Sequence, residues 1–175
     1  IYNDISNGAP TRAFLKLRTD NAGKYLDATE FDRLQARIAN SYMHAGKLDK
    51  ALELAQNSVS RSDINAPLAG WVAGLVSWRY NDFASAARYF TISANSPYSS
   101  AWTQSAASFW ASRSYMRAGQ IREVEYWLQK AALHPRTFYG LIAARSLGWN
   151  VAFNWQMPEY REHHDKLLKS IKVAR

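Results

Sequence analysis

Apolar residues recur at three- and four-residue intervals along most of this chain, and the periodic runs come in pairs. The clearest run spans 28–45, where Phe31, Leu34, Ile38 and Tyr42 share one face of a helix. Asp27 stands at its N-cap and Glu30 three residues on, which completes a capping-box pattern. Gly46 supplies a left-handed stop. A return helix over about 48–60 carries Leu48, Ala51, Leu52, Ala55 and Val59 at the same spacing. The second pair opens at Pro67, which suits a first helical turn. Leu68, Trp71, Val72, Leu75, Val76 and Trp78 follow, then a return helix from about Asp82 with Phe83, Ala86, Ala87 and Phe90. The third pair starts at a Ser99 or Ser100 cap. Trp102, Ala106, Phe109, Trp110 and Met116 line its first helix, and Ile121, Val124, Trp127, Leu128 and Ala131 its second.

The pairs are copies of one hairpin. Ser41-Tyr-Met-His-Ala-Gly46 matches Ser114-Tyr-Met-Arg-Ala-Gly119, and Leu48, Phe83 and Ile121 are equivalent, 35 and 38 residues apart. That period belongs to stacked helix pairs, each unable to bury its apolar face alone. The expected fold is all-α, an α-solenoid of helical hairpins over 1–135. Before the repeats, 1–9 reads as an incoming linker or helix end and 10–20 as a short helix. Residues 136–175 read as a different module of linker-type helices. Thr137 caps a short helix over 138–146 that Gly148 closes, Trp149–Met157 is irregular with Val151, Phe153 and Trp155 alternating, and Pro158 begins a last helix through Leu167, Leu168 and Ile171. No turn signal for a β-hairpin is present.

Composition narrows the chemistry. There is no cysteine, so disulfides, thiol catalysis and the strongest zinc ligands are excluded. No apolar run approaches the ~20 residues of a membrane span. The net charge of +8 lies mainly after residue 100, where eleven Lys/Arg face five Asp/Glu, against eleven and nine before it. No basic run occurs, so most of these charges read as solvated helix faces. Nucleic acid is disfavoured as a partner because no module that binds it can be recognised. The chain begins with Ile1 and stops inside an apparent helix, which reads as an excised piece of something longer.

Two resemblances follow. With Ala86 as the small residue of a second helix, Gly74 lies twelve residues earlier and Phe90 four later, and Tyr42 and Tyr115 hold one position in their copies. This pattern resembles tetratricopeptide repeats, which implies a right-handed superhelix. The stretch His134-Pro-Arg-Thr-Phe-Tyr-Gly-Leu-Ile-Ala-Ala-Arg-Ser-Leu-Gly148 resembles bacterial soluble lytic murein transglycosylases, in the last helices before their catalytic domain. Pro135, Phe138, Tyr139, Gly140, Leu141, Ala143, Ala144 and Gly148 carry that motif. Its residues read as packing, with Phe138, Leu141, Ile142 and Arg145 on one helix face. The resemblance implies a periplasmic scaffold segment of a peptidoglycan-cleaving enzyme. Its partners would be glycan strands, proteins and a lysozyme-like domain beyond Arg175.

That family acts through the glutamate of a Glu-Ser pair, and this chain has no such dipeptide. No catalytic residue transfers, and no cofactor or metal is expected. Glu162-His163-His164-Asp165 has metal-ligand residue types. Adjacent helical residues point about 100° apart, so the two histidines read as a solvated helix. A peptide-binding adaptor unrelated to cell wall is the alternative reading. Aromatic faces stack on sugar rings, and the irregular segment offers them most freely. The candidate contact residues are therefore Trp149, Trp155, Arg136 and Arg145, while Trp110 and Trp127 read as core. The end of the chain is expected to expose an apolar patch at Leu167, Leu168 and Ile171.

Overall fold

The computed structural model describes residues 1–19, 25–153, 156 and 159–170. Among them are ten α-helices and no strand. The N-terminal pieces are α1 (Tyr2–Ser6) and α2 (Pro10–Thr19). Three pairs follow: α3 (Ala28–His44) with α4 (Leu48–Ser62), α5 (Pro67–Arg79) with α6 (Phe83–Asn95), and α7 (Ala101–Arg117) with α8 (Ile121–Ala132). A short 3-10 turn, Asp63–Asn65, joins the first two pairs. Then come α9 (Phe138–Ser146) and α10 (Glu162–Ser170). From α3 to α9 each helix packs on its neighbours in the chain, and α3 on α5 and α7 on α9 besides. The packing is consistent with a helical solenoid.

Local signals set the helix ends. Asp27 and Glu30 form the reciprocal capping box, with the Glu30 N–H donating to Asp27 at 2.8 Å and the Asp27 N–H to Glu30 at 3.0 Å. Asp82 caps α6, Ser100 α7 and Thr137 α9. The stops are uniform. After α3, α5, α7 and α9 the chain turns through a residue with φ between 61° and 76°: Gly46, Asn81, Gly119 and Gly148. Each time the following N–H reaches five residues back, as Lys47 does to the Tyr42 carbonyl at 2.9 Å and Trp149 to Ala144 at 2.9 Å. These paired bonds satisfy carbonyls that a helix end would otherwise leave open.

Helix α9 is therefore built like a further first helix of the series. It lies on α7 and α8 and ends as α3, α5 and α7 do. Within 1–9 the chain forms α1, the helical of the two readings that the sequence left open. Its Asp4 is buried, accepts from Lys16 Nζ at 2.8 Å and lies 3.6 Å from the N-terminal amine. The Lys16 bond holds its carboxyl below the ordinary carboxylate range, against the opposing effect of burial. Apolar spacing does not reveal an element held by a polar cluster. The last helix begins at Glu162, after non-helical residues 159–161, and not at Pro158, which with the side chain of Ile171 lies outside the described residues. Leu167 and Leu168 on α10 are exposed.

The main core joins α2 to α5. Leu17, Leu34, Ile38, Tyr42, Leu54, Val72 and Val76 meet there. A second cluster, centred on Phe90 and Trp127, joins α6, α7 and α8. Phe90 is fully buried, and a Cβ on Gly74 would lie 2.7 Å from its ring. Glycine thus lets α5 and α6 close on a large aromatic. Polar ties reinforce the first pair. Asp32 is fully buried and accepts from Arg61 and, at 2.6 Å, from the Ser62 hydroxyl. Gln35 donates to the Leu54 carbonyl at 2.9 Å. Trp127 is buried as expected and Trp110 half-buried.

Candidate functional site

The segment 134–148 positions the molecule's most distinctive surface. Thr137 Oγ1 accepts from the Gly140 N–H at 3.0 Å, which caps α9, and donates to Ser105 Oγ on α7 at 2.7 Å. His134 Nε2 lies 3.1 Å from Gln104 Oε1, a second tie to α7. A Cβ on Gly140 would fall 2.0 Å from the His134 carbonyl oxygen, so only glycine permits this turn. Gly140, Ala143 and Ala144 are the buried face of α9. The large residues face outward. Phe138 is 61% exposed, where the motif read as packing placed it in the core, and Arg145 on the same helix face is exposed, as a candidate contact residue must be. The reason is spacing. Close approach to α7 and α8 leaves room only for small side chains, which turns Phe138 and Arg145 to the other side.

Three clefts line that outward side. The first, of about 430 Å³, lies between α5, α7 and α9 and is walled by Leu68, Trp71, Tyr98, Trp102, Phe138 and Tyr139. The second, of about 580 Å³, shares Trp102 and Phe138 and adds Pro135, Arg136, Leu141 and Phe153. The third, of about 490 Å³, shares Leu141 and Phe153 and is closed by Arg145, Trp149, Asn150 and Val151. The sequence-predicted residues thus divide. Arg136 sits in the second cleft and Arg145 and Trp149 in the third, while Trp155 lies outside the described residues. Spacing did not single out Tyr98, Trp102 and Phe138 as wall residues. The available signal was that all three are aromatic beside helix starts, where a side chain lacks a full turn of neighbours to cover it.

The electrostatics are one-sided. No Asp or Glu lines any of the three clefts. Arg136 and Arg145 have no hydrogen-bond or ionic partner among the described residues. Arg33 stacks over the Tyr98 ring at 4.4 Å while donating to the Asn65 carbonyl at 2.9 Å. Carboxylates elsewhere are engaged locally, as Glu53 with Lys50 at 2.7 Å and Asp165 with Lys169 at 2.6 Å. The rings of His163 and His164 lie 3.8 Å apart with their planes tilted by 48°, and His164 Nδ1 accepts the Arg161 N–H at the start of α10. Among the described residues no cluster of three metal-ligating side chains occurs, and no helix is long and apolar enough to cross a membrane.

No family model, curated protein or solved structure matches the chain.

Proposed function

We propose that this chain is a non-catalytic scaffold segment of a periplasmic peptidoglycan lytic transglycosylase, a right-handed superhelix of tetratricopeptide-like hairpins that positions glycan strands. The observation that carries this reading is the third cleft. There an exposed indole, Trp149, stands beside the free guanidinium of Arg145 and the amide of Asn150. A flat apolar face flanked by hydrogen-bond donors suits a sugar ring, whose faces are apolar and whose rim is hydroxylated. The motif that resembles the transglycosylase superhelix forms the helix supporting this cleft. The repeat reading rests on Gly74 under Phe90, the fully buried Ala86 and the shared turn at positions 46, 81 and 119. A lysozyme-like partner domain belongs to the same proposal.

The test is pelleting of the whole chain with purified peptidoglycan sacculi at low and high salt, with assay of the supernatant for anhydro-muropeptides. Expected is retention without release, weaker at high salt and reduced at least several-fold by Trp149→Ala and Arg145→Ala. Release of anhydro-muropeptides would show catalysis, and absence of retention would remove the glycan role. The second reading, a peptide-binding adaptor, is favoured by the first cleft, whose walls are far more apolar.

A further inference from the structure

The first and third clefts differ in what they can satisfy. Around Trp149 a hydroxylated ligand meets a guanidinium and an amide. Between α5, α7 and α9 the wall carries no charged or amide side chain, only the neutral hydroxyls of Ser99, Thr103 and two tyrosines and the indole N–H groups of Trp71 and Trp102 amid a mostly apolar lining. A sugar entering there would exchange water for a few neutral partners on a mostly apolar wall, and each hydroxyl left unpaired is unfavourable. A bulky apolar side chain loses nothing of that kind and gains by burial. The volume of about 430 Å³ falls within the range of specific ligand pockets. Its mouth is already open. Tyr98, Trp102 and Phe138 are each about 60% exposed.

The walls are also held in place. Helix α9 is tied to α7 through the Thr137–Ser105 bond and the Phe109–Tyr139 ring contact at 5.3 Å, and α7 to α5 through the edge-on Trp78–Trp110 pair at 5.1 Å. A preformed cavity costs little to order on binding. Charge then specifies what surrounds the inserted group. Arg33 lies at the Tyr98 end and Arg136 beyond the shared Trp102–Phe138 wall, and no acid lines either cavity.

We infer that the α5–α7–α9 cavity is an anchor site for a protein partner: it takes one large apolar side chain from an acidic linear peptide segment whose carboxylates pair with Arg136 and Arg33. Aromatic anchors in a preformed pocket with flanking charge pairs are the usual energetic centre of such contacts. The inference does not depend on the glycan role of the Trp149 cleft.

The experiment is fluorescence anisotropy of the whole chain with fluorescein-labelled seven-residue peptides. The first carries a central Trp between Asp/Glu flanks. Matched peptides replace the Trp by Ser or the acidic flanks by lysines. The acidic Trp peptide is expected to bind at least tenfold more tightly than either. Trp102→Ala and Arg136→Glu are each expected to weaken it at least tenfold, whereas the charge-matched Arg113→Glu, on an exposed part of α7, leaves it unchanged. Circular dichroism of each variant checks that the fold persists, and Arg136→Gln gives an intermediate loss if charge is the cause. Equal binding of acidic and lysine-flanked peptides overturns the inference, as does binding that survives Trp102→Ala, or no binding by any peptide. Loss of sacculus retention in Trp102→Ala, with no peptide binding, would assign the cavity to glycan instead. Retention lost only in the Trp149 and Arg145 variants leaves the two sites separate.

Discussion

Helices α3 to α6 and helices α7 to α9 solve the same packing problem in opposite ways. In the first region the large side chains are inside. Leu34, Ile38, Tyr42, Leu54, Val76 and Phe90 are buried, and a buried Asp32 fixes α3 to α4. In the second region the inside is small. Ala107, Ala111, Ala131, Ala143 and Ala144 are buried together with Ser105, Ser108, Ser112 and Ser114. The rings of Trp102, Tyr126 and Phe138 are exposed, with Trp127 the large exception. Small interior residues let helix backbones approach closely, and each aromatic excluded from that interface becomes available to a ligand. One repeat pattern can thus yield a region specialised for stability and one specialised for binding.

Substitutions that remove or add volume should separate the two regions. Phe90→Ala empties the centre of the second cluster, where the ring also fills the space over Gly74. It should cost about 3–5 kcal/mol, measured by urea unfolding. A cost below about 1 kcal/mol would mean that the pair does not depend on a large core. Gly140→Val tests the opposite limit. Its added carbons meet the His134 carbonyl, so α9 must shift from α7, at a cost of about 1–3 kcal/mol. Limited proteolysis should then cut near 134–140. If that stretch stays resistant with unchanged stability, close packing does not hold α9 in place.

The smallest expected effect is at a helix cap inside the first region, at the start of α6. Hydrogen bonds from Ser85, side chain and backbone, hold the Asp82 carboxyl below its ordinary range. Its folded-state pKa is lower than its unfolded one, so its contribution is fully present above about pH 4, the ordinary Asp value. It fades as pH falls through the folded pKa. Asp82→Ala should therefore cost about 1 kcal/mol at neutral pH, and the gap from the parent chain should shrink in acid. A gap that stays constant down to pH 2 would show that the carboxylate charge plays no part in the cap.

Most helix boundaries were legible because they are local. Asp27 with Glu30, Pro67, Asp82, Ser100 and Thr137 act within a turn of their own position, and Gly46, Gly119 and Gly148 stop helices through their own backbone freedom. Asn81 was not expected to take the same left-handed turn, and it does so at φ 61°. Asparagine tolerates that conformation less visibly than glycine. For 1–9 the sequence left linker and helix end open, because α1 is held by polar contacts, Asp4 with Lys16 above all, and not by apolar spacing. Of the candidate contact residues, Arg136, Arg145 and Trp149 do line clefts, yet the widest aromatic walls were not foreseen. Periodicity shows which residues share a face of one helix and is silent about which face meets a neighbour.

The sequence by itself determined that the chain is all-helical, where most of its helices begin and end, that hairpins repeat, and that its basic excess lies in the second half. Those properties depend on backbone preference and short-range hydrogen bonds, which a residue carries with it. Only the tertiary structure decided that Phe138 faces outward while Gly140 and Ala144 face in, that Tyr98 and Trp102 border the same cavity, and that α9 continues the series. Each of these depends on the distance between helix axes. That distance is fixed by side chains far apart in the chain, and no local pattern encodes it.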